Sequence, residues 1–409
     1  MSWKQLLKLV HVGGLALAWT VFSTGCQQSP PPPLPNVNQP EVEMPGDEPV
    51  VETPSDEPAA EMPSDEPAAE TPSDEPAAET PSDEPAATPD EPAAEPVAFE
   101  VKVPLGLPPL PIPEDNPMTA EKVELGKMLY FDKRLSKDGT ISCATCHDPL
   151  MAWTEHKPTS TGIGDQVGGA NSPTVINSAY ATTQFWDGRA KSLEEQALGP
   201  IENPIEMGHS LPEMIATLDG LEGYKKHFQK VFGTGITKEG ISQAIAAFER
   251  TVLSGNSPYD KFTAGDENAL NEAQKRGLEL FNKVGCADCH TPPLFSSYDF
   301  YNAGVGMDKE PPDEGRKAVT DDDDDFGAFR VPALREVAST GPYFHDGSGA
   351  TLEDAVALMA AGGKDNPNLS EMLKSVRDAK LTEENRKDLV EFLKALSGEY
   401  PIIDPPTLP

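Results

Sequence analysis

The 409-residue chain is predicted to be an all-α protein of two like units behind a long acidic leader. Three observations carry that prediction. Cys143, Ala144, Thr145, Cys146 and His147 form a CxxCH stretch, which Cys286, Ala287, Asp288, Cys289 and His290 repeat 143 positions later. A helical pattern leads into each copy. From Gln27 to about Lys102 the composition narrows to Pro, Ala, Asp, Glu and Ser, which removes roughly a quarter of the chain from any core.

In a CxxCH stretch the two thiols add to the two vinyl groups of one haem, and the adjoining histidine lies under the iron as proximal ligand. Two covalently bound c-type haems follow. The alternatives are a redox dithiol or half of a zinc site. Zinc would need both stretches to converge on one ion, and a histidine at identical spacing after each pair would then be unexplained.

The chain opens with Lys4 and Lys8, then an apolar run from Leu9 to Phe22, the pattern of a secretory signal over residues 1–26. Export to the periplasm is the expectation. Ser23, Thr24 and Gly25 before Cys26 resemble a lipoprotein processing site at which Cys26 becomes the lipidated first residue. The leucine usual three residues before the cysteine is missing, so simple cleavage and an uncleaved anchor stand as alternatives. Gln27 behind Cys26 favours the outer membrane, and this N-terminal anchor is the only membrane contact expected. Of five cysteines, four are assigned to haem and one to acylation, which leaves no pair for a disulfide.

Residues 27–104 read as a disordered acidic linker. A nine-residue repeat runs through Glu52–Ala60, Glu61–Ala69, Glu70–Ala78 and Glu79–Ala87. Repeated proline blocks helix, the carboxylates repel one another, and almost nothing apolar is available to bury. In a polyproline-like state, at about 3.1 Å per residue, such a spacer reaches on the order of 200 Å. About half of the net charge of −36 sits in it. Acidity excludes the basic patch that nucleic acid requires, and it suits steering of a basic redox partner.

The first unit is assigned to residues 105–265. Thr119–Phe131 places Val123, Leu125, Met128, Leu129 and Phe131 at mostly helical spacing, with Thr119 as N-cap and Glu121 and Glu124 near the positive end. Helix, short loop and CxxCH in that order begin a c-type cytochrome. Asn271–Phe281 repeats the arrangement, with Gly277 standing where Gly126 does. The second unit is assigned to 266–400, closed by an amphipathic helix over Leu381–Leu396, with a tail at 401–409.

Three segments, LGKMLYFDKRLSKDGTISCATCHDP, NSPTVIN and QFWDGRAKSLEEQALGPIENPIEM, resemble the bacterial di-haem cytochrome c peroxidases in order and spacing, and the likeness runs over nearly all of Leu105–Tyr400. It implies two cytochrome c-like haem domains, the first reacting with peroxide at Cys143, Cys146 and His147. Glu206 in NPIEM falls on the catalytic glutamate, and Gln196 on a glutamine of the same pocket. A single carboxylate near the distal face can take a proton from one peroxide oxygen and return it to the other. Trp186 falls on the tryptophan between the haems, where an indole shortens an electron's path or fills an interface. The plain alternative for Glu206 is an exposed loop carboxylate.

One position departs from the pattern. Peroxidases that need reductive activation cap the first haem with a histidine in the loop after CxxCH; here that loop reads TSTGIGDQVGG, with Ile163 at the matching place. Isoleucine ligates no iron. The first haem is therefore expected open at rest, with His156 from a shifted register, or His209, as substitute caps and solvent exposure as the plain reading of both.

Around the second haem the resemblance continues through FRVPALREVASTGPYFHDGSGATLEDAVALMAAGG, and Met359 falls on the axial methionine. Thr351 reads as an N-cap with Glu353 and Asp354 in the first turn, which sets Met359 about two turns into a helix. A thioether opposite histidine raises the potential and suits electron entry, whereas the alternative is plain helix core. Methionine also separates this chain from related di-haem oxidases of the methylamine-utilisation type, in which a tyrosine stands here. The resemblance further implies calcium between the domains, held by Asn171 and the backbone carbonyls of Thr340 and Pro342. Arg330, His345 and Asp346 are expected to bond propionates or brace the interface. Asp321–Asp325 reads as a solvated acidic loop, with calcium binding or partner docking as alternatives.

Hydrogen peroxide reduction with electrons from a small cytochrome c or cupredoxin is the expected activity. An oxidase modifying a partner protein and a non-catalytic electron carrier are the alternatives; Glu206, Gln196 and an open iron argue against the carrier. A homodimer is compatible with the resemblance.

Overall fold

The computed structural model describes residues 99–409. The signal at 1–26, Cys26 and nearly all of the 27–104 linker lie outside that range. Among the described residues the architecture is helical, apart from one short antiparallel pair, β1 (Phe300–Tyr301) with β2 (Phe329–Arg330).

The first unit contains α1 (Ala120–Phe131), α2 (Cys143–Cys146), α3 (Leu193–Glu202), α4 (Leu211–Asp219), α5 (Glu222–Phe232), α6 (Lys238–Glu249) and α7 (Pro258–Thr263). The second contains α8 (Glu272–Lys283), α9 (Cys286–Cys289), α10 (Lys317–Thr320), α11 (Leu352–Ala360), α12 (Met372–Asp378) and α13 (Glu383–Lys394). Their starts follow side-chain chemistry. The Thr119 hydroxyl accepts the Lys122 N–H at 3.2 Å, Asn271 and Gln274 cap α8 reciprocally, and Thr382 with Asn385 does the same for α13.

Each unit rests on one helix crossing, α1 on α6 and α8 on α13. Glycine makes both crossings possible. A Cβ on Gly126 would lie 1.8 Å from the Ala244 carbonyl oxygen, and one on Gly277 would lie 2.0 Å from that of Asp388. The matched placement of these glycines in the sequence is thus a steric requirement repeated in both units.

Aromatic side chains fill the space beside each crossing. In the first unit the Tyr130 ring meets Phe248 at 5.1 Å and Trp153 at 5.6 Å between centroids. In the second, Phe281 meets Phe392 at 5.2 Å and Tyr259 meets Phe295 at 4.9 Å. Phe248, Trp153, Phe295 and Phe392 are all essentially buried, and tilted or edge-on pairs of this kind add about 0.5–1.5 kcal/mol each beyond the area they bury.

Between the units, Arg335 and Asp260 form a two-pronged ion pair at 2.8 and 2.9 Å, with both side chains 1% exposed. Arg335 also donates to the Gly106 carbonyl at 3.0 Å, so the segment entering the first unit is tied to the second. The 401–409 tail crosses back to the first unit, where Trp153 Nε1 donates to the Pro401 carbonyl at 2.9 Å and Arg134 to that of Pro409 at 3.0 Å. No helix among the described residues is long and apolar enough to cross a membrane.

Candidate haem clefts and active site

Helices α2 and α9 are single turns, and that brevity serves the motif. Cysteines three apart on one turn share a face, while the histidine caps the end: the His147 N–H donates to the Cys143 carbonyl and that of His290 to the Cys286 carbonyl, both at 2.9 Å. Tyr130 of α1 donates its hydroxyl to the His147 carbonyl at 3.0 Å, fixing the first turn against the core.

Both motifs open into one cavity of ≈ 910 Å³, bordered by Cys143, Cys146, His147, Cys286, Cys289, His290 and Met359. Burial pushes all four thiols up, Cys146 to about 12 and Cys286 and Cys289 to about 11. A redox dithiol needs the opposite, a depressed thiol. Burial also lowers both imidazoles, so they are neutral near pH 7 and offer a lone pair to a metal. His290 Nδ1 donates to the Phe295 carbonyl at 3.0 Å, which leaves Nε2 for the iron. In His147 the buried Nδ1 has no hydrogen-bond partner among the described residues. Among the described residues no three His, Cys, Asp or Glu side chains gather where one ion could sit, so the zinc alternative lacks a site. Neutral imidazoles, protonated thiols and a large cavity beside them fit a haem at each motif.

Met359 sits on α11, whose start is fixed by reciprocal bonds between Thr351 and Asp354, and its half-buried side chain borders the cavity. Glu206, Gln196 and Trp186 border it as well. Glu206 is half-buried rather than an exposed loop carboxylate. Its Oε1 accepts from Asn203 Nδ2 at 2.7 Å. Burial pushes its carboxyl above the usual range, while the Arg189 guanidinium and the Asn203 bond pull it back. Trp186 joins the units, its Nε1 donating to the Asn171 carbonyl at 2.9 Å and its own carbonyl accepting the Arg330 N–H at 2.8 Å.

The Ile163 loop is pinned to the segment carrying Glu206. The Ile163 N–H donates to the Glu206 carbonyl at 2.9 Å, and Gln166 Nε2 donates to that of Pro204 at 3.1 Å. His156 is exposed and held by the Ser339 carbonyl at 3.0 Å. His209, a substitute cap or else a solvent-exposed side chain by sequence, is buried, with Nδ1 3.3 Å from the Leu135 carbonyl. Neither borders the cavity.

Asn171, Thr340 and Pro342 all border the cavity, and Asn171 Nδ2 donates to the Lys157 carbonyl at 2.8 Å. Arg330 is buried and donates to the Phe185 carbonyl at 3.2 Å. His345 braces the interface: its backbone carbonyl accepts the Asn171 N–H at 2.8 Å, its ring stacks on Phe329, and Nε2 meets Asp313 at 2.8 Å. The Asp321–Asp325 run is largely exposed, with Asp323 paired to Lys317.

Sequence reasoning passed over Arg189, Glu249 and Tyr298, which also border the cavity. Arg189 lies 3.5 Å over the Phe185 ring and is gripped by Asp187. Only its place in WDGR, three residues after Trp186, signalled it. The other two carry no motif beyond their residue type.

Residues 120–268 match the family model described as di-haem cytochrome c peroxidase, and residues 274–397 match cytochrome c. The chain is 42% identical over 308 residues to the cytochrome c551 peroxidase of Nitrosomonas europaea, covering 73% of this chain and 86% of that one. It is 39% identical over 303 residues to the methylamine utilization protein MauG of Methylorubrum extorquens, covering 73% and 85%. Among solved structures, a MauG-like protein associated with microbial copper homeostasis is 34% identical with a TM-score of 0.67, covering 74% of this chain and 96% of that one. With such identity across most of both chains, and two CxxCH clefts on one cavity, the protein belongs to the di-haem cytochrome c peroxidases, oxidoreductases carrying two c-type haems.

Proposed function

We propose that this member reduces hydrogen peroxide to water in the periplasm, with electrons from a small cytochrome c or cupredoxin. The observation that carries the reading is Glu206, a half-buried carboxyl on the cavity wall, fixed at one oxygen by Asn203 and backed by a loop without a histidine. Haems held by Cys143, Cys146 and His147 and by Cys286, Cys289, His290 and Met359 would supply the redox chemistry, with electron entry on the Met359 side and peroxide on the His147 side.

Breaking the O–O bond with two electrons consumes two protons and yields two waters. Glu206 moves a proton from one peroxide oxygen to the other, acting as base and then as acid. With Oε1 held by Asn203, Oε2 carries the proton. Gln196 borders the same pocket and orients peroxide by hydrogen bonding. Trp186, bonded to both units, lies on the electron path. The pinned Ile163 loop, with His156 and His209 engaged elsewhere, supports an iron open at rest. Asn171 with the Thr340 and Pro342 carbonyls would hold calcium at the interface, hard oxygen donors for a hard cation. Export through the 1–26 signal, with lipidation at Cys26 and an outer-membrane tether, completes the reading.

A second reading, oxidation of a partner protein, draws on the absent loop histidine and the likeness to MauG, whereas Met359 weighs against it. The test is oxidation of a reduced small cytochrome by peroxide, starting from the fully oxidised holoprotein. Prompt turnover supports a peroxidase open at rest. Turnover only after pre-reduction means that a residue such as His156 caps the iron, and none at all moves the oxidase ahead.

A further inference from the structure

Glu249 closes α6 and borders the cavity, yet the peroxide reaction described above leaves it unused. It is 6% exposed. Among the described residues no cation pairs with it, because Arg250 turns both terminal nitrogens to Glu194, at 2.7 and 3.1 Å. The groups around it are few. From α1 comes Tyr130, whose hydroxyl donates to the His147 carbonyl. From α3 comes Glu194, already paired, and from α2 the Cys143 sulfur, which becomes an uncharged thioether once haem is attached. Burial pushes the Glu249 carboxyl up to about 8, with Arg250 lowering it and Glu194 raising it.

A one-electron reduction in the first cleft adds one negative charge near this carboxyl. In a poorly screened interior that charge opposes the carboxylate and favours the acid, so electron and proton uptake reinforce each other. We infer that Glu249 is the redox-linked protonation site of the first cleft, taking one proton from solvent as the iron gains one electron from the donor protein, and releasing it on reoxidation. The inference rests on a haem at His147, not on peroxide turnover.

Spectroelectrochemical titration of the holoprotein over a range of pH tests it, with Met359→Leu identifying the second haem's wave. The first-haem potential should fall by about 59 mV per pH unit, the one-electron equivalent of a tenfold change in proton activity, between the pKa values of the oxidised and reduced states. Glu249→Gln should flatten that slope and leave the second haem unchanged. Glu249→Asp should keep a slope with displaced ends. In the wild type, reduced-minus-oxidised infrared spectra taken at a pH between those two pKa values should gain a protonated-carboxyl C=O band, which also decides the matter if Glu249→Gln fails to fold. A slope that persists in Glu249→Gln, a flat wild-type titration or a missing carboxyl band overturns the assignment. Holoprotein with only one haem per chain would instead remove its premise, a separate outcome read from the haem count.

Discussion

Replacing Glu206 with glutamine isolates the proton-moving role, because the exchange keeps shape and the neighbouring bond. Asn203 Nδ2, now 2.7 Å from Glu206 Oε1, can donate equally to an amide oxygen, so the loop has no reason to move. What disappears is the capacity to take and return a proton. General acid–base catalysis contributes roughly 10²–10⁴-fold, so turnover with peroxide should fall by that factor, about 2.7–5.4 kcal/mol of barrier. Steady-state oxidation of reduced cytochrome gives the rate, and the haem absorbance confirms two haems per chain. The wild-type rate should rise with pH through a Glu206 value above the ordinary 4.5, since burial raises it and the base form is required. Stability runs the opposite way. A carboxyl raised in the folded state favours folding while protonated and weakens it as pH climbs through that interval, so the glutamine variant should melt no lower than wild type near neutrality. A variant with both haems, an unchanged melting temperature and turnover within tenfold of wild type would refute the assignment.

Met359→Leu should lower the second haem's potential, and an unchanged potential in a redox titration would mean that another group is the ligand. Asp260→Ala strands the Arg335 guanidinium, whose side chain is 1% exposed, and should cost about 3–5 kcal/mol by denaturant titration; a loss under 1 kcal/mol would contradict a closed, dry pair. Burial pushes Asp260 up, but the Arg335 guanidinium and Ser257 outweigh it and hold the carboxyl below its usual 3.8. This stability should therefore be complete above that value and lost as pH falls through the lower folded one. Gly126→Ala drives a methyl to 1.8 Å from the Ala244 carbonyl oxygen, so the α1–α6 crossing must open, at a cost of about 1–3 kcal/mol or more in thermal melts.

The features readable from sequence are those whose chemistry is local. CxxCH is a covalent attachment code, helix caps involve neighbours three residues apart, and the glycines before each motif repeat because each unit makes the same crossing. What stayed hidden depends on partners far away in the chain. His209 reads as a loop histidine until Leu135 closes over it, 74 residues away. The 401–409 tail looks like a loose end, yet Trp153 and Arg134 hold it from the first unit. Arg335 and Asp260 are unremarkable charges until folding strips water from both.

Glu249 and Glu194 show the same limit within one cluster. Both are glutamates on helices, and α3 packs on α6. Arg250 stands next to Glu249 in sequence, which suggests that those two neutralise each other. Helical geometry sends adjacent side chains about 100° apart, so the guanidinium reaches Glu194 across the helix interface and leaves Glu249 at the cavity wall with no paired cation among the described residues. Which carboxylate is paired, and which is available to exchange a proton, is decided by that rotation rather than by residue type.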